Sequence, residues 1–453
     1  MTIRIRSRDE LLVDELLVER HARFDGGWDG PDLRRHLALQ AGVPDAPAAD
    51  DAVAALLRAS VMPRWFSSDG PYPVHAVAPS PRSREWSPVV VRTLDGPPTA
   101  WLHDPASGTL GVLSPGPGIG ASATLDPAAG DRAAAGDRAI ELLLDPHALT
   151  RLYGDFAVTL ALLQGGHILY QWASAAARIG WHLSHRVLTA SEVPAARGAV
   201  ALVTAELRRS DGPPLAPVAP TRAGRAEATV ATPFDATWRR AVRSPALARS
   251  IDERELAARS DRRAVRLTGP HGITTSDARR RLPDEERRTS AQGFGPVSFF
   301  GPALTRSESH HLLEEAATTL RAFSCTGLRV VVHRPLPDGG WAAEGAGDDA
   351  PVDAGFPDGL LTDGDAGLRS AAWIAVVLRE LPGEVDFFDG LVIAGAVGQA
   401  ICVAAAGLGH AAHPLRSVDE RRAASAFGPG LLPLYVIAGG RPTRTQTRWD
   451  LGA

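Results

Sequence analysis

The residues best suited to chemistry lie in RRTSAQGF, residues 287–294, where Arg288 and Ser290 stand two apart. A guanidinium and a hydroxyl beside backbone amides at a helix start or turn can bind a dianionic phosphate. R-x-S triplets are common, so the weight of this one comes from its position. It precedes a helix, a loop of small polar residues and a strand, and the chain closes on the basic run GGRPTRTQTR. Other clusters are weaker. His310 and His311 fall on different sides of a helix. His410 and His413 have no acidic or sulfur partner at ligand spacing, although Asp419 and Glu420 follow, so no zinc site is expected. The chain has no lysine, which excludes Schiff-base chemistry and a lysine general base. Cys325 and Cys402 are the only cysteines. They form no CxxC pair and no disulfide framework, which fits a reducing cytoplasm.

The elements that must position these residues span 453 residues with a formal net charge of −4, room for two or three domains. The chain is 44% apolar, with 45 glycines and 36 prolines, so substantial cores joined by long connections are expected. No dense basic stripe with interleaved aromatics points to nucleic acid. The start, MTIRIRSRDELLVDELLVER, is charged and lacks an apolar h-region, so no signal peptide is expected. No uninterrupted apolar run predicts a membrane span.

Apolar spacing predicts helices over 9–20, 31–41 and 51–60, and turn chemistry frames strands within 65–78, VVVRTL and TAWLHDP. Helices are expected over 133–144, 147–153 and 156–179, the last ending at Gly180, with a strand over 199–207. Residues 210–285 read as a Pro/Arg-rich linker with connecting helices, in which RSDRRAVR is expected to be a solvated face. The pattern then restarts: helix 308–323, strand 328–333, a helical or extended stretch 371–380, helix 385–407 and strand 432–438.

This restart is an internal repeat. DDAVAALLRASVMPRWFSSDGPYPVHAVA aligns with ESHHLLEEAATTLRAFSCTGLRVVVHR, a helix running into an aromatic, small polar residues, a glycine and a strand. GGHILYQWASAAARIGWHLS aligns with GAVGQAICVAAAGLGHAAHP, an Ala-rich helix ending in an I-G-W or L-G-H corner. Small residues at helical spacing let two such helices approach closely. Two pairs in the same order predict a duplication, with 1–209 as the first half (1–50 a helical extension), 210–285 as the connection and 286–453 as the second half.

The order of RRTSAQGF, FSCTGLRVVVHR, the Ala-rich helix with its L-G-H corner and the GGRPTR tail resembles the FMN-binding nitroreductase superfamily. The resemblance implies an α+β fold of two nitroreductase-like halves, each a central antiparallel-type sheet flanked by helices, packed as an intramolecular pseudo-dimer. Further dimerisation is left open. It implies FMN as cofactor, its phosphate clasped by Arg288, Ser290 and Gln292 with Arg441, Arg444 or Arg448 at the end. Gln292 departs from the usual basic residue and adds no charge. It also implies a serine loop from the other half, matched by Ser67, Ser68 and Asp69, with Phe323–Gly327 as the second copy. The first half has no R-x-S before its helix, and its end, ALVTAELRRSDG, does not repeat the Gly-Arg-Pro tail. One flavin site per chain is therefore expected.

One stretch, LTRLYGDFAVTLALLQGGHILYQWASAAARIGW, further resembles the azoline dehydrogenases of peptide natural-product pathways. Tyr153, Gly166, His167 and the Gly180-Trp181 corner match. The usual lysine position holds Leu152, and Gln164 stands near the acidic position. The resemblance implies a cytoplasmic dehydrogenase that oxidises azolines in a modified precursor peptide, with companion biosynthetic enzymes as further partners. Tyr153 and His167 are then the candidate proton acceptors. The alternatives are an NAD(P)H-dependent nitroreductase-like enzyme and a catalytically inactive flavin-binding or partner protein.

Overall fold

The computed structural model describes residues within 51–62, 65–67, 74–75, 88–94, 100–104, 110–113, 137–145, 156–209, 258–287, 299–345, 360–442 and 448–450, with short breaks inside the longer ranges. The expected helices over 9–20, 31–41 and 147–153 lie outside these residues, as does most of the linker.

In the first half, helix α1 (Asp51–Ser60) leads to two short strands, β1 (Trp65–Ser67) and β2 (Val74–His75). A meander follows: β3 (Val89–Thr93), β4 (Ala100–His103), β5 (Leu110–Leu113) and β6 (Arg138–Leu143). Then come the long helix α2 (Phe156–Arg178) and strands β7 (Trp181–Ala190) and β8 (Val200–Arg209). The connection supplies β9 (Val265–Arg266) and helix α3 (Thr275–Arg287). The second half runs β10 (Phe299–Phe300), α4 (Arg306–Ala322), β11 (Leu328–Pro335), β12 (Trp341–Gly345), β13 (Trp373–Glu380), α5 (Phe387–Gly407), β14 (Ala411–Leu415), β15 (Leu431–Pro442) and β16 (Arg448–Asp450).

The two large sheets carry the duplication. The first has the order β5-β4-β3-β6-β8-β7-β9, and the second β10-β15-β13-β11-β12 with β14 paired to β15. Within them β4-β3-β6-β8-β7 and β12-β11-β13-β15-β14 have the same sequence of antiparallel neighbours. A long helix joins the third and fourth of these strands in chain order in each. Even the register slip recurs, between Leu142 and Leu143 against β8 and between Val377 and Leu378 against β15. The fold is α+β, two halves of one topology.

The structure corrects the sequence reading in four places. Residues 133–144 were expected to be helical, but Arg138–Leu143 forms β6, buried along its whole length between β3 and β8. A short apolar run buried on both faces has no period to distinguish strand from helix. The counterpart of β11 is β3, not the strand at 74–78, because 61–88 is an insertion carrying β1 and β2. Strand β7, which follows the Gly180 corner, was not foreseen. RSDRRAVR is a solvated face only in part: Asp261, Arg262 and Arg266 are exposed, but Arg259 is buried, pairs with Asp386 at 2.7 Å and Asp389 at 3.0 Å, and so clamps the N-terminus of α5.

The connection is a staple. On α3, Glu285 pairs with Arg178 of α2 at 2.6 Å and accepts from Ser174 at 2.5 Å, while Arg281 pairs with Glu315 of α4 at 2.6 Å. The largest hydrophobic cluster runs through both halves, with α2 and α5 at its centre. Helix α5 is long and apolar enough to cross a membrane, but 94% of its most apolar window is buried inside the protein, as in a core helix.

The crossing of α2 and α5 is set by two glycines. A Cβ on Gly166 would stand 1.9 Å from the Val392 carbonyl oxygen, and one on Gly395 would stand 2.0 Å from that of Leu163. The contact is reciprocal: Gly166 and Gly395, Leu163 and Val392, and the corner glycines Gly180 and Gly409 are all related by one shift in numbering. Both corners are left-handed, at φ of +74° and +75°. A pseudo-two-fold axis therefore passes between Gly166 and Gly395, and the halves form an intramolecular pseudo-dimer.

Two buried histidines make this core acid-sensitive. Burial lowers the pKa of His185 to about 4, although Nδ1 bonds to the Val265 carbonyl. It lowers that of His333 to about 4, where the ring packs edge-on against Phe427 with neither nitrogen hydrogen-bonded. In the unfolded chain both rings titrate near about 6.5. Between the two values the unfolded chain binds protons that the folded chain does not, so stability is full above about pH 6.5 and falls as pH drops toward about 4. The expected loss is roughly 3 kcal/mol for each ring. Urea unfolding at stepped pH should show this slope, and His333→Leu should flatten it; an unchanged slope would contradict the assignment for His333.

Candidate functional site

The second-half corner gathers side chains from four elements. Helix α5 ends at the left-handed Gly409, and His410 turns the chain into β14. The Trp373 indole at the start of β13 donates to His410 Nδ1 at 3.0 Å. Gly439 makes room for that indole, since a Cβ there would stand 2.0 Å from its ring. At the N-terminus of α4, Thr305 and Glu308 form a reciprocal capping box, which lowers the Glu308 pKa. Glu308 and Arg441 act on His410 in opposite senses, and burial, the largest effect, lowers its pKa.

Arg441 closes the corner. It lies near the end of β15, opposite Phe300, and its exposed side chain runs along Gly301, which is left-handed at φ +116°. Among the described residues it has no carboxylate partner. The R-x-S segment lies outside the described residues, between α3, which ends at Arg287, and β10, which starts at Phe299.

The end of the chain then crosses to the other half. β16 pairs antiparallel with β1, with Ser67 opposite Arg448. The serine loop of the first half thus starts beside the basic tail of the second, as expected of a loop that crosses the interface. The reciprocal contact exists as well: Phe323, which opens the second copy of the loop, packs against His185 of β7 with ring centres 5.1 Å apart. Ser324 beside it is left-handed at φ +50°. Burial pushes the Cys325 thiol up to about 12, so it is no nucleophile at neutral pH.

Of the expected site residues, Arg441 is placed with its side chain, and Ser67 and Arg448 by backbone pairing. Arg288, Ser290, Gln292, Arg444, Ser68, Asp69 and Tyr153 lie outside the described residues; Tyr153 stands three positions before α2. His167 is a correction. It is fully buried, Nδ1 donates to Gln399 Oε1 at 2.8 Å, and Nε2 accepts from the Tyr435 hydroxyl at 2.9 Å. With both nitrogens held by α5 and β15, it ties the halves together and offers no lone pair to a substrate proton. A histidine behind two glycines on an apolar helix looks the same in sequence in either role. The sequence reading weighed His410 only as a metal ligand, although the repeat had already aligned its corner with Trp181.

The first-half corner is built differently. Trp181 stands where His410 does, and Arg209, its register partner, occupies the place of Arg441. The tail arginine therefore persists in the first half, which the sequence pattern did not show. It is spent on the indole, with the guanidinium 5.5 Å from the ring centre. The connection packs over this corner. Thr268 Oγ1 accepts from the Leu183 amide at 2.7 Å and donates to the Trp181 carbonyl at 3.2 Å. A cavity of about 240 Å³ remains, lined by Trp181, His182, Thr268, Gly269, Ile273 and Thr274 among others. Pockets for drug-sized ligands take about 300–1,000 Å³.

Comparison with solved structures places the fold. The chain is similar to a protein of Anabaena variabilis assigned as a nitroreductase, with a TM-score of 0.57, 13% identity, and coverage of 94% of this chain and 99% of that one. The fold is thus nitroreductase-like along nearly the whole chain. A nitroreductase-assigned protein of Desulfovibrio desulfuricans solved with FMN aligns over 38% of this chain and 92% of its own, at 19% identity and a TM-score of 0.26, too low to carry an argument. No family model and no curated protein matches the chain.

The second-half corner suits an FMN phosphate. An exposed arginine, Arg441, without a carboxylate partner among the described residues, sits beside the left-handed Gly301.

Proposed function

We propose that the protein is an FMN-dependent oxidoreductase with one flavin site per chain, acting in the maturation of a ribosomal peptide by oxidation of azoline rings. The observation that supports the flavin reading is the second-half corner itself, where the exposed Arg441 lies along the left-handed Gly301, and the pairing of β1 with β16, which sets Ser67 opposite Arg448, adds to it. The azoline reading rests on the resemblance of the stretch around Tyr153.

Bound FMN supplies a two-electron hydride acceptor. Arg288, Ser290, Gln292 and the tail arginines hold the phosphate, and Ser67, Ser68 and Asp69 cover the site from the other half. Tyr153 takes the proton that leaves with the hydride; its phenol is the remaining acceptor in the matched segment once His167 is fixed in the core. The proton acceptor is the Tyr153 phenolate, and without a lysine neighbour to favour that form little of it is present at neutral pH, so turnover should rise with pH. The test supplies an azoline-bearing peptide and dioxygen as terminal oxidant. Azole formation, lost in Tyr153→Phe with FMN still bound, supports the reading. NAD(P)H consumption without azole formation favours the nitroreductase-like alternative, and bound FMN with neither activity favours the inactive one.

A further inference from the structure

The Trp373–His410 pair has a consequence for ligand binding that the family resemblance does not supply. A neutral imidazole carries one N–H and one lone pair. The Trp373 indole can only donate, so its 3.0 Å bond to Nδ1 commits the lone pair there and places the proton on Nε2. Nδ1 can take up a second proton only by breaking this bond. The ring is 8% exposed, and Nε2 makes no hydrogen bond among the described residues. The charged groups facing the ring are Glu308 from α4 and Arg441 from β15. Resting on the flavin reading above, we propose that His410 is a positioning residue of the flavin site: Trp373 locks it as the Nε2–H form, and that N–H serves as an uncharged donor to an acceptor atom of the bound FMN.

Several observations converge on this assignment. His410 occupies the left-handed corner next to Arg441, the phosphate candidate, so a ligand held by that arginine passes within reach of the imidazole's neighbourhood. The lock requires a deliberate arrangement: Gly439 is the residue that lets the indole lie where it does. The first half lacks the device, having Trp181 at the equivalent place and its arginine stacked on the ring. Burial, which lowers the His410 pKa, works in the same direction as the indole bond and keeps the ring neutral.

The test measures FMN and riboflavin affinity by fluorescence quenching from about pH 5 to 8, across the range in which an ordinary histidine titrates. His410→Leu is expected to bind FMN about tenfold more weakly, the loss of one donor to a ligand. His410→Gln, whose amide keeps an N–H, should recover most of the affinity. Trp373→Phe frees Nδ1 to protonate and should make the affinity for riboflavin, which carries no titrating phosphate, vary with pH where the wild type is flat. Circular dichroism checks folding, and His410→Gln remains decisive if Trp373→Phe unfolds. Weakening with both probes locates the acceptor on the flavin ring, and weakening with FMN alone locates it on the phosphate; either supports the assignment. Wild-type affinity in His410→Leu would overturn it while leaving the flavin reading intact. A wild-type chain that binds neither probe would overturn both.

Discussion

Gly166→Val and Gly395→Val should each prevent stable folding. The helices α2 and α5 cross at backbone contact, and an added Cβ would stand 1.9 or 2.0 Å from a carbonyl oxygen of the facing helix. The obstacle is backbone within a helix, so no rotamer change relieves it. The helices must separate, and separation opens the centre of the main cluster, where Tyr170, Trp172 and Phe388 are buried. It also stretches the His167–Gln399 and His167–Tyr435 bonds across the interface. A loss above about 4 kcal/mol is expected, in the exceptional range for one substitution. Gly345→Ala is the control, because the nearest atom to its Cβ would be 3.9 Å away. Soluble yield and urea midpoints decide the matter. A Gly166→Val protein of wild-type stability would mean that the halves do not meet through these helices.

The second large effect separates the two corners. Arg288→Ala and Arg441→Ala should each weaken FMN binding by about 10- to 150-fold, the loss of one charge-assisted contact of roughly 1.5–3 kcal/mol. Arg209→Ala should leave FMN affinity unchanged, although Arg209 is the register counterpart of Arg441. Its guanidinium lies over Trp181, and Thr268 of the connection packs on the same corner, leaving a cavity of about 240 Å³ beside it. Equilibrium titration of the three variants with FMN is the check. A drop in affinity for Arg209→Ala alone would place the phosphate in the first half and reverse the account.

Much of this architecture could be read from the sequence, and the failures have physical causes. The Ala-rich helices announced the close crossing, because small side chains every third or fourth residue serve little else in a helix without a polar face. The I-G-W and L-G-H corners matched because a left-handed turn favours glycine in both halves. Strand β6 was misread because RAIELL is buried on both faces and carries no alternation. The counterpart of β11 was misplaced because the stretch 61–88 carries a short strand of its own, β2, which aligned first. RSDRRAVR reads as a solvated face because charge predicts exposure, and Asp261, Arg262 and Arg266 are exposed. Arg259, Arg281 and Glu285 are instead buried in pairs that span elements far apart in sequence. At the second-half corner, Arg441 was singled out from motif order. His410 was not, since its Trp373 partner lies 37 residues upstream and only the fold joins them.

The central claim is that duplication produced two corners of one topology, of which only the second holds a flavin. The most direct measurement is the flavin released by denaturing the purified, FMN-saturated protein, quantified against chain concentration. The account predicts one FMN per chain. Two per chain would show that the first-half corner is open despite the connection packed over it, and none would show that the second-half corner does not bind the cofactor.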